Sequence, residues 1–359
     1  MRRTASSPPE GSAGRAPFVS ILKPLCGLDD DLERNLESFT ALRGIEYEVI
    51  CSVADRNDPA LAVLERVRLA YPRAPFRVVV GGDPRLERTN RKVARLVAAG
   101  REAQGDIIVV SDSNVRVEPD DIASTLEVFR DPAIGCVSNL FTGQEARSLG
   151  AKIESLHLLS FVVPGNVIAA FGDVPCVVGK SMAITREALR AIGGFEAFTS
   201  VLAEDQAIGL AVREAGYRVT LSPVVVRNVV VRRTLRRALD RQVRWNKIRY
   251  AMSKGCYAAE LLLFPLPLAI LAALAGGLAG VAAAPLLPVA ALALRVAQVA
   301  VLARATGARA SLMLVPLLDV LQFGGQFVPY FDDTVTWRGY TARIGPKTVL
   351  LDILKTAAA

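Results

Sequence analysis

The sequence predicts an α/β domain with a mostly parallel sheet, followed by C-terminal membrane helices. Three observations carry this reading. Short β-rich runs alternate with helix-compatible stretches up to Val226, apolar residues make up 52% of the 359 residues, and the run from Leu261 to Leu294 contains no charge at all. Alternation of strand and helix patterns argues for crossover units and a parallel sheet. One core of roughly 250 residues plus an appendage fits this length, and the uncharged run marks the appendage.

In chain order, residues 1–17 are rich in Ser, Pro, Gly and Ala and read as a disordered tail, with no apolar stretch behind Arg2, Arg3 and Arg15 to form a signal-peptide core. Strands are expected at Phe18–Leu22, Tyr47–Val53, Phe76–Val80, Asp106–Ser111, Gly135–Asn139, Cys176–Ile184 and Arg218–Val226. Helical spacing of Leu, Val and Ala covers Asp29–Leu42, Pro59–Tyr71, Arg91–Ala103 and Pro119–Arg130. The resulting domains are 18–257 as the catalytic unit with a basic juxtamembrane helix, 258–330 as membrane-spanning or re-entrant helices, and 331–359 as a cytoplasmic tail. In open α/β sheets ligands bind beyond the carboxyl ends of strands. Two carboxylates fall there: Asp55 after EYEVICSVA and Asp112 after DIIVVS.

Charge and cysteine usage exclude several classes. The net charge of +8 is locally concentrated, with ten basic residues and only Asp240 as an acid between Arg227 and Lys254. Such a cluster directly before an apolar run faces anionic lipid and the cytoplasm rather than nucleic acid. Five scattered cysteines form no CxxC pair, so neither a zinc site nor a disulfide framework is expected. No GxGxxG follows a strand, which argues against a dinucleotide enzyme. The stretch GDVPCVVGKS, Gly172–Ser181, looks like a phosphate loop, but six residues rather than four separate its glycines. It reads as chance or as a strand near the acceptor.

The segments SVADRNDPA, VVSDSNVRV, LAEDQ and RQVRW follow one another at roughly even intervals. Together they resemble the ceramide glucosyltransferase family, glycosyltransferase family twenty-one. The likeness also includes SILKPLCG from Ser20, NRKVARL from Asn90, EALRAIGGF from Glu187 and TWRG from Thr336. Bacterial hopanoid glycosyltransferases look similar, sharing the LKPLCG and NRKV pieces. The resemblance implies a GT-A fold and inverting transfer of a hexose from a UDP-sugar to a lipid hydroxyl. UDP-glucose to ceramide is the leading pairing, with UDP-N-acetylglucosamine to a hopanoid as the alternative.

By the same resemblance Asp55 holds the uridine or ribose end, Lys92 steadies the nucleotide, and Asp112 is the aspartate of a DxD-like turn. A divalent cation, Mg²⁺ or Mn²⁺, held there by Asp112 would neutralise the departing diphosphate. Its partner position is Asn114, whose amide ligates hard cations more weakly than a carboxylate. Asp205 is the expected general base, with Glu204 its competitor. If RQVRW is helical, Arg241, Arg244 and Trp245 share one face, suiting a diphosphate clamp beside an indole that shapes the acceptor site. A helix cap is the alternative role for Asp55, but Asp58 before Pro59 fits that position better. The only histidine, His157, lies in a helix-like stretch and reads as packed. Ceramide-type relatives carry a histidine in the segment matching Phe161–Ala169, where this chain has none.

The 34 uncharged residues Leu261–Leu294 would extend about 51 Å as one helix, beyond a ~30 Å hydrocarbon core. Breaks at Pro285 and Pro288 give helices near Leu261–Ala284 and Leu286–Ala303. Arg295 would then sit at membrane depth and must face protein or water, unless this element is a shallow re-entrant hairpin. Asp319, in the third apolar stretch Ser311–Phe323, raises the same question. The expected setting is a bacterial inner membrane, with the catalytic domain on the cytoplasmic face and the basic end of the chain beside it. A processive polysaccharide synthase would need more membrane helices than three apolar stretches supply. A non-catalytic membrane scaffold would be expected to lose one of the three aspartates, and all three are present.

Overall fold

The computed structural model describes residues 16–83, 85–86, 89–337 and 340–355. Most of the expected tail at 1–17, and Arg338 and Gly339 of the TWRG motif, lie outside the described residues.

The first half of the fold alternates as expected: β1 (Phe18–Pro24), α1 (Leu32–Glu37), β2 (Glu46–Val53), α2 (Ala60–Ala70), β3 (Phe76–Val80), α3 (Arg91–Glu102) and β4 (Ile107–Ser111). Strands β1, β2 and β4 are buried nearly throughout, the mark of a parallel sheet covered on both faces. Then come β5 (Val115–Arg116), α4 (Asp121–Leu126), β6 (Ile134–Gln144), α5 (Leu149–His157), α6 (Val163–Phe171), β7 (Ser181–Thr185), α7 (Arg186–Ala191), α8 (Glu204–Glu214), β8 (Arg218–Val229) and α9 (Leu235–Met252). The eight strands form one sheet in the order β3-β2-β1-β4-β7-β6-β8-β5. Pairing is parallel for β1 with β2 and β4, β2 with β3, and β6 with β8, while β7 runs antiparallel to both β4 and β6.

Strand order reverses at β1, because β2 and β3 lie on one side and β4 on the other. That reversal opens a crevice at the carboxyl ends of β1 and β4, and Asp112 is the first residue beyond β4.

Helices α5 and α6 form one 23-residue rod, Leu149–Phe171, joined by a π-helical turn at Leu158–Val162. Pro164 near the start of α6 explains the wide turn: it lacks an N–H and its ring crowds the carbonyl four residues earlier. At the other end, a Cβ on Gly150 would lie 2.4 Å from the Thr234 carbonyl oxygen. Only glycine lets α5 and the chain entering α9 approach this closely.

The apolar part departs from expectation. Instead of one helix over Leu261–Ala284, α10 (Lys254–Ala259) and a short 3-10 turn end at Phe264, and α11 (Pro265–Leu278) starts afresh. The two limbs, Lys254–Leu263 and Pro265–Leu278, bend by 70°. Pro265 occupies the first turn of α11, where its missing N–H costs nothing, and it disfavours helix in the residue before it. Next come α12 (Leu286–Thr306) and α13 (Val315–Gly325). By length and composition three described helices can cross a membrane: Leu149–Phe171, Leu286–Thr306 and Leu312–Tyr330. The first is 61% buried within the protein, against 17% for the second.

Residues expected as a tail carry a second sheet, β9 (Thr334–Trp337), β10 (Tyr340–Ile344) and β11 (Leu350–Lys355), in the order β11-β10-β9. It docks on the chain just before α8. Thr348 accepts the Leu202 N–H through its carbonyl at 2.9 Å and the Ala203 N–H through its hydroxyl at 3.2 Å. Thr348 has φ 59°, a costly conformation for a β-branched residue that surrounding contacts must hold.

Candidate active site

A cavity of about 1690 Å³ opens at the sheet's carboxyl edge. All the predicted site residues line it: Asp55, Lys92, Asp112, Asn114, Asp205, Arg241, Arg244 and Trp245.

Its charged centre is Asp112. Lys92 Nζ lies 3.0 Å from Asp112 Oδ1, and Lys180 Nζ lies 3.0 Å from Oδ2. Burial would raise this carboxyl, but the two ammonium groups outweigh it and hold it well below the usual carboxylate range. Lys92 also contacts Glu204 Oε1 at 3.0 Å and donates to the Gly179 carbonyl at 3.3 Å. Desolvation disfavours its charge, yet Asp112, Glu204 and Asp205 together raise its pKa. Beneath them Lys23, fully buried, donates to Ser111 Oγ at 3.1 Å and the Asp112 carbonyl at 3.0 Å. Burial pulls Lys23 down to about 7, against the opposing pull of Cys51 and Asp112.

The two acids opening α8 have different surroundings. Glu204 is buried, with Lys92 on one oxygen and the Asn90 side-chain amide donating to the other at 3.1 Å. Burial and Asp205 raise its pKa against the pull of Lys92. Asp205 is half-buried and accepts the Gly179 N–H at 2.6 Å and the Gln206 N–H at 2.8 Å. Those bonds fix its carboxylate at the cavity wall. A Cβ on Gly179 would fall 2.6 Å from Lys92 Nζ and 3.2 Å from Asp205 Oδ2, so any larger residue here displaces the Lys92 ammonium and crowds Asp205.

Asp55 accepts the Asn57 N–H at 2.7 Å in a turn at the cavity rim. Pro59 occupies the cap position of the following helix, and Asp58, one residue earlier, accepts the Ala60 N–H through Oδ1 at 2.9 Å.

Arg241 is buried and pairs with Glu154 Oε1 at 2.8 Å, while its guanidinium stacks 4.3 Å from the centroid of Trp245. Arg233 holds the other Glu154 oxygen at 2.6 Å. Arg244 is half-buried. Its pKa falls to about 10, first through desolvation and then through Arg241. His157 is buried and packs against Phe161 and Trp245, ring centroids 5.6 and 6.0 Å apart.

Lys180 was missed by the sequence reading. Its signal was the GKS of the discarded phosphate-loop match, and the sheet makes it meaningful. Pairing of Ser111 with Ser181 sets Lys180 opposite Asp112, and Lys180 Nζ donates to Asn114 Oδ1 at 2.8 Å. Among the described residues no group of three or more His, Cys, Asp or Glu is arranged to hold a metal ion. Asp112 Oδ2 and Asn114 Oδ1 nevertheless converge on one cation, the Lys180 ammonium. Two protein oxygens completed by substrate phosphate and water is an ordinary Mg²⁺ arrangement, so these residues fit a divalent ion.

Beyond the charged centre the cavity wall turns apolar at Phe161, Ile168, Leu262, Leu263 and Phe264. Ile168, Leu262 and Leu263 are also exposed on the outer surface.

The sheet order, the acids beyond its strands and this cavity define a GT-A-type glycosyltransferase domain. A solved mannosyltransferase from Pyrobaculum calidifontis, in complex with GDP-Man and Mn²⁺, has the same fold at TM-score 0.54 and 19% identity, with 89% of this chain and 88% of that one covered. The description "Glycosyl transferase family 21" matches residues 1–350, and the chain belongs to that family. It is 29% identical over 245 residues to ceramide glucosyltransferase 3 of Caenorhabditis elegans, covering 66% of this chain and 51% of the relative. It is 25% identical over 235 residues to an N-acetylglucosaminyltransferase of Rhizobium meliloti, covering 58% and 53%. The chain thus spans about half the length of the curated relatives it matches.

Proposed function

We propose that this protein transfers a hexose, with inversion, from a UDP-sugar to the hydroxyl of a membrane lipid, UDP-glucose to ceramide being the leading pair. The observation that carries this reading is a single cavity with a cationic end at Asp112 and an apolar end at Phe161 and Phe264. A sugar nucleotide suits the first end and a lipid the second.

Asp205 takes the proton from the acceptor hydroxyl as its oxygen attacks the anomeric carbon and the bond to UDP breaks. General-base assistance of this kind contributes about 10²- to 10⁴-fold. Glu204, engaged by Lys92 and Asn90, positions Lys92 instead. Arg244 faces the departing diphosphate, because Arg241 is already committed to Glu154 and Trp245. Asp55 receives the ribose or uracil end at the rim. When Mg²⁺ or Mn²⁺ is bound, Asp112 and Asn114 would hold it, and it would supply neutralisation of the diphosphate charge.

The exposed residues of α11 and α12 lie in the bilayer in this reading. The basic residues Arg232, Arg236 and Arg237 sit at its cytoplasmic surface, in a bacterial inner membrane. A second reading is UDP-N-acetylglucosamine to a hopanoid polyol, of which only the sugar is supported by the rhizobial N-acetylglucosaminyltransferase relatives.

The test is transfer by purified protein in detergent. UDP-glucose, UDP-galactose, UDP-glucuronate and UDP-N-acetylglucosamine are offered against ceramide and a hopanoid polyol, with Mg²⁺, with Mn²⁺ and with chelator. Glycosylceramide is the expected product. Transfer to the hopanoid alone replaces the acceptor, and no transfer to either rejects the reading.

A further inference from the structure

The point where Asp112 Oδ2 and Asn114 Oδ1 converge already holds a cation of this chain's own. Lys180 Nζ lies 3.0 Å from the first oxygen and 2.8 Å from the second. This contact is not a loose surface bridge. The Lys180 side chain is 14% exposed, and its backbone carbonyl accepts the Asp112 N–H at 3.1 Å, so antiparallel pairing fixes it across from the acid. Lys92 takes the other Asp112 oxygen, leaving the carboxylate held on both sides.

A divalent ion on these two oxygens would stand about 2.0–2.6 Å from each. That leaves no room for an ammonium hydrogen-bonded to the same pair, and the two cations repel. Asn114 sharpens the competition, because a neutral amide oxygen accepts well from an ammonium but ligates a hard cation more weakly than a carboxylate would.

We infer that Lys180 and a divalent cation are alternative occupants of one point: Lys180 fills it in the nucleotide-free enzyme, and yields it when a nucleoside diphosphate arrives to receive the displaced ammonium. Free metal is thereby kept off the site, and metal and donor bind together. No bond is made or broken in this exchange. The inference rests on the nucleotide-sugar reading above and adds to it a residue that governs the order of binding.

The experiment measures Mn²⁺ binding to the full chain in detergent by electron paramagnetic resonance of the free ion, without nucleotide and then with UDP. Wild type is compared with Lys180→Met, Lys180→Gln and Lys180→Arg, each checked for folding by its melting curve. Without nucleotide, Lys180→Met and Lys180→Gln should bind Mn²⁺ at least tenfold more tightly than wild type, while Lys180→Arg stays weak. With UDP present the advantage of the two neutral variants should shrink. Equal or weaker Mn²⁺ binding in the folded neutral variants overturns the inference. Failure of wild type to bind UDP at any Mn²⁺ concentration instead rejects the nucleotide-sugar reading, so the two failures are distinguishable. The Gln variant keeps a polar head in the site should Met disturb folding.

Discussion

Two buried ionic clusters in this molecule pair basic with acidic side chains to opposite ends. In the catalytic domain Lys92 bridges Asp112 and Glu204, Lys180 bridges Asp112 and Asn114, and the cluster lines the cavity. Between the apolar helices, Arg295 of α12 is paired bidentately with Asp319 of α13 at 2.8 and 2.6 Å, and Nη1 donates to Gln298. One cation matches one anion there, and the pair closes on itself. The first arrangement leaves cations able to turn toward an incoming anion. The second satisfies a charge that would otherwise be stranded in an apolar setting. Arg295 and Gln298 line the same cavity, so neither burial nor position separates the two clusters. Connectivity does: Lys92 is shared between Asp112 and Glu204 and Lys180 between Asp112 and Asn114, whereas Arg295 is closed bidentately on Asp319.

The sharpest way to break this comparison is at Arg295. Arg295→Leu strands Asp319 and should cost about 3–5 kcal/mol of stability, whereas Arg295→Leu with Asp319→Leu together should recover most of it. Melting curves in detergent check both, and an equally unstable double variant would mean that the pair has a role beyond mutual neutralisation. A subtler probe is Gly179→Ala, which pushes Lys92 Nζ and Asp205 off their contacts. UDP affinity and turnover should each fall about tenfold or more, given ~1–3 kcal/mol for an unsatisfied buried polar group, with little change in melting temperature. The smallest effect is expected at the exposed apolar surface of α11. Leu271, 53% exposed on α11, tolerates Gln within about 0.5 kcal/mol in detergent, yet Leu271→Gln should weaken partition into lipid vesicles. Co-sedimentation reads that difference.

Strands β1, β2, β3, β4, β6 and β8 were legible because their signals are local, alternation and apolar runs. The same is true of α9, which brings Arg241, Arg244 and Trp245 to one cavity. The strand expected over Cys176–Ile184 starts only at Ser181, and the two-residue β5 carries no signal of its own. Lys180 was not legible, since its partner Asn114 is 66 residues away and the contact exists only because β7 pairs antiparallel with β4. Glu154, which holds Arg233 and Arg241, carries no local signature either. The bend at Phe264 was readable from Pro265 but was hidden by the unbroken apolar composition around it. Strands β9, β10 and β11 are short and sit among basic residues, so they read as a tail. Their value lies in a long-range dock on Ser200–Ala203, including the Leu350 N–H to Ser200 carbonyl bond at 2.8 Å.

The most direct test of the account is to measure UDP affinity in the presence of Mn²⁺, and sugar transfer, side by side for Asp205→Asn and Asp112→Asn. A clean separation is expected. Asp205→Asn should lose transfer by about 10²- to 10⁴-fold while binding UDP as wild type does, and Asp112→Asn should lose UDP affinity together with transfer. Retained transfer in Asp205→Asn, or UDP binding unaffected in Asp112→Asn, would contradict the division of the cavity into a donor end and a proton-accepting base.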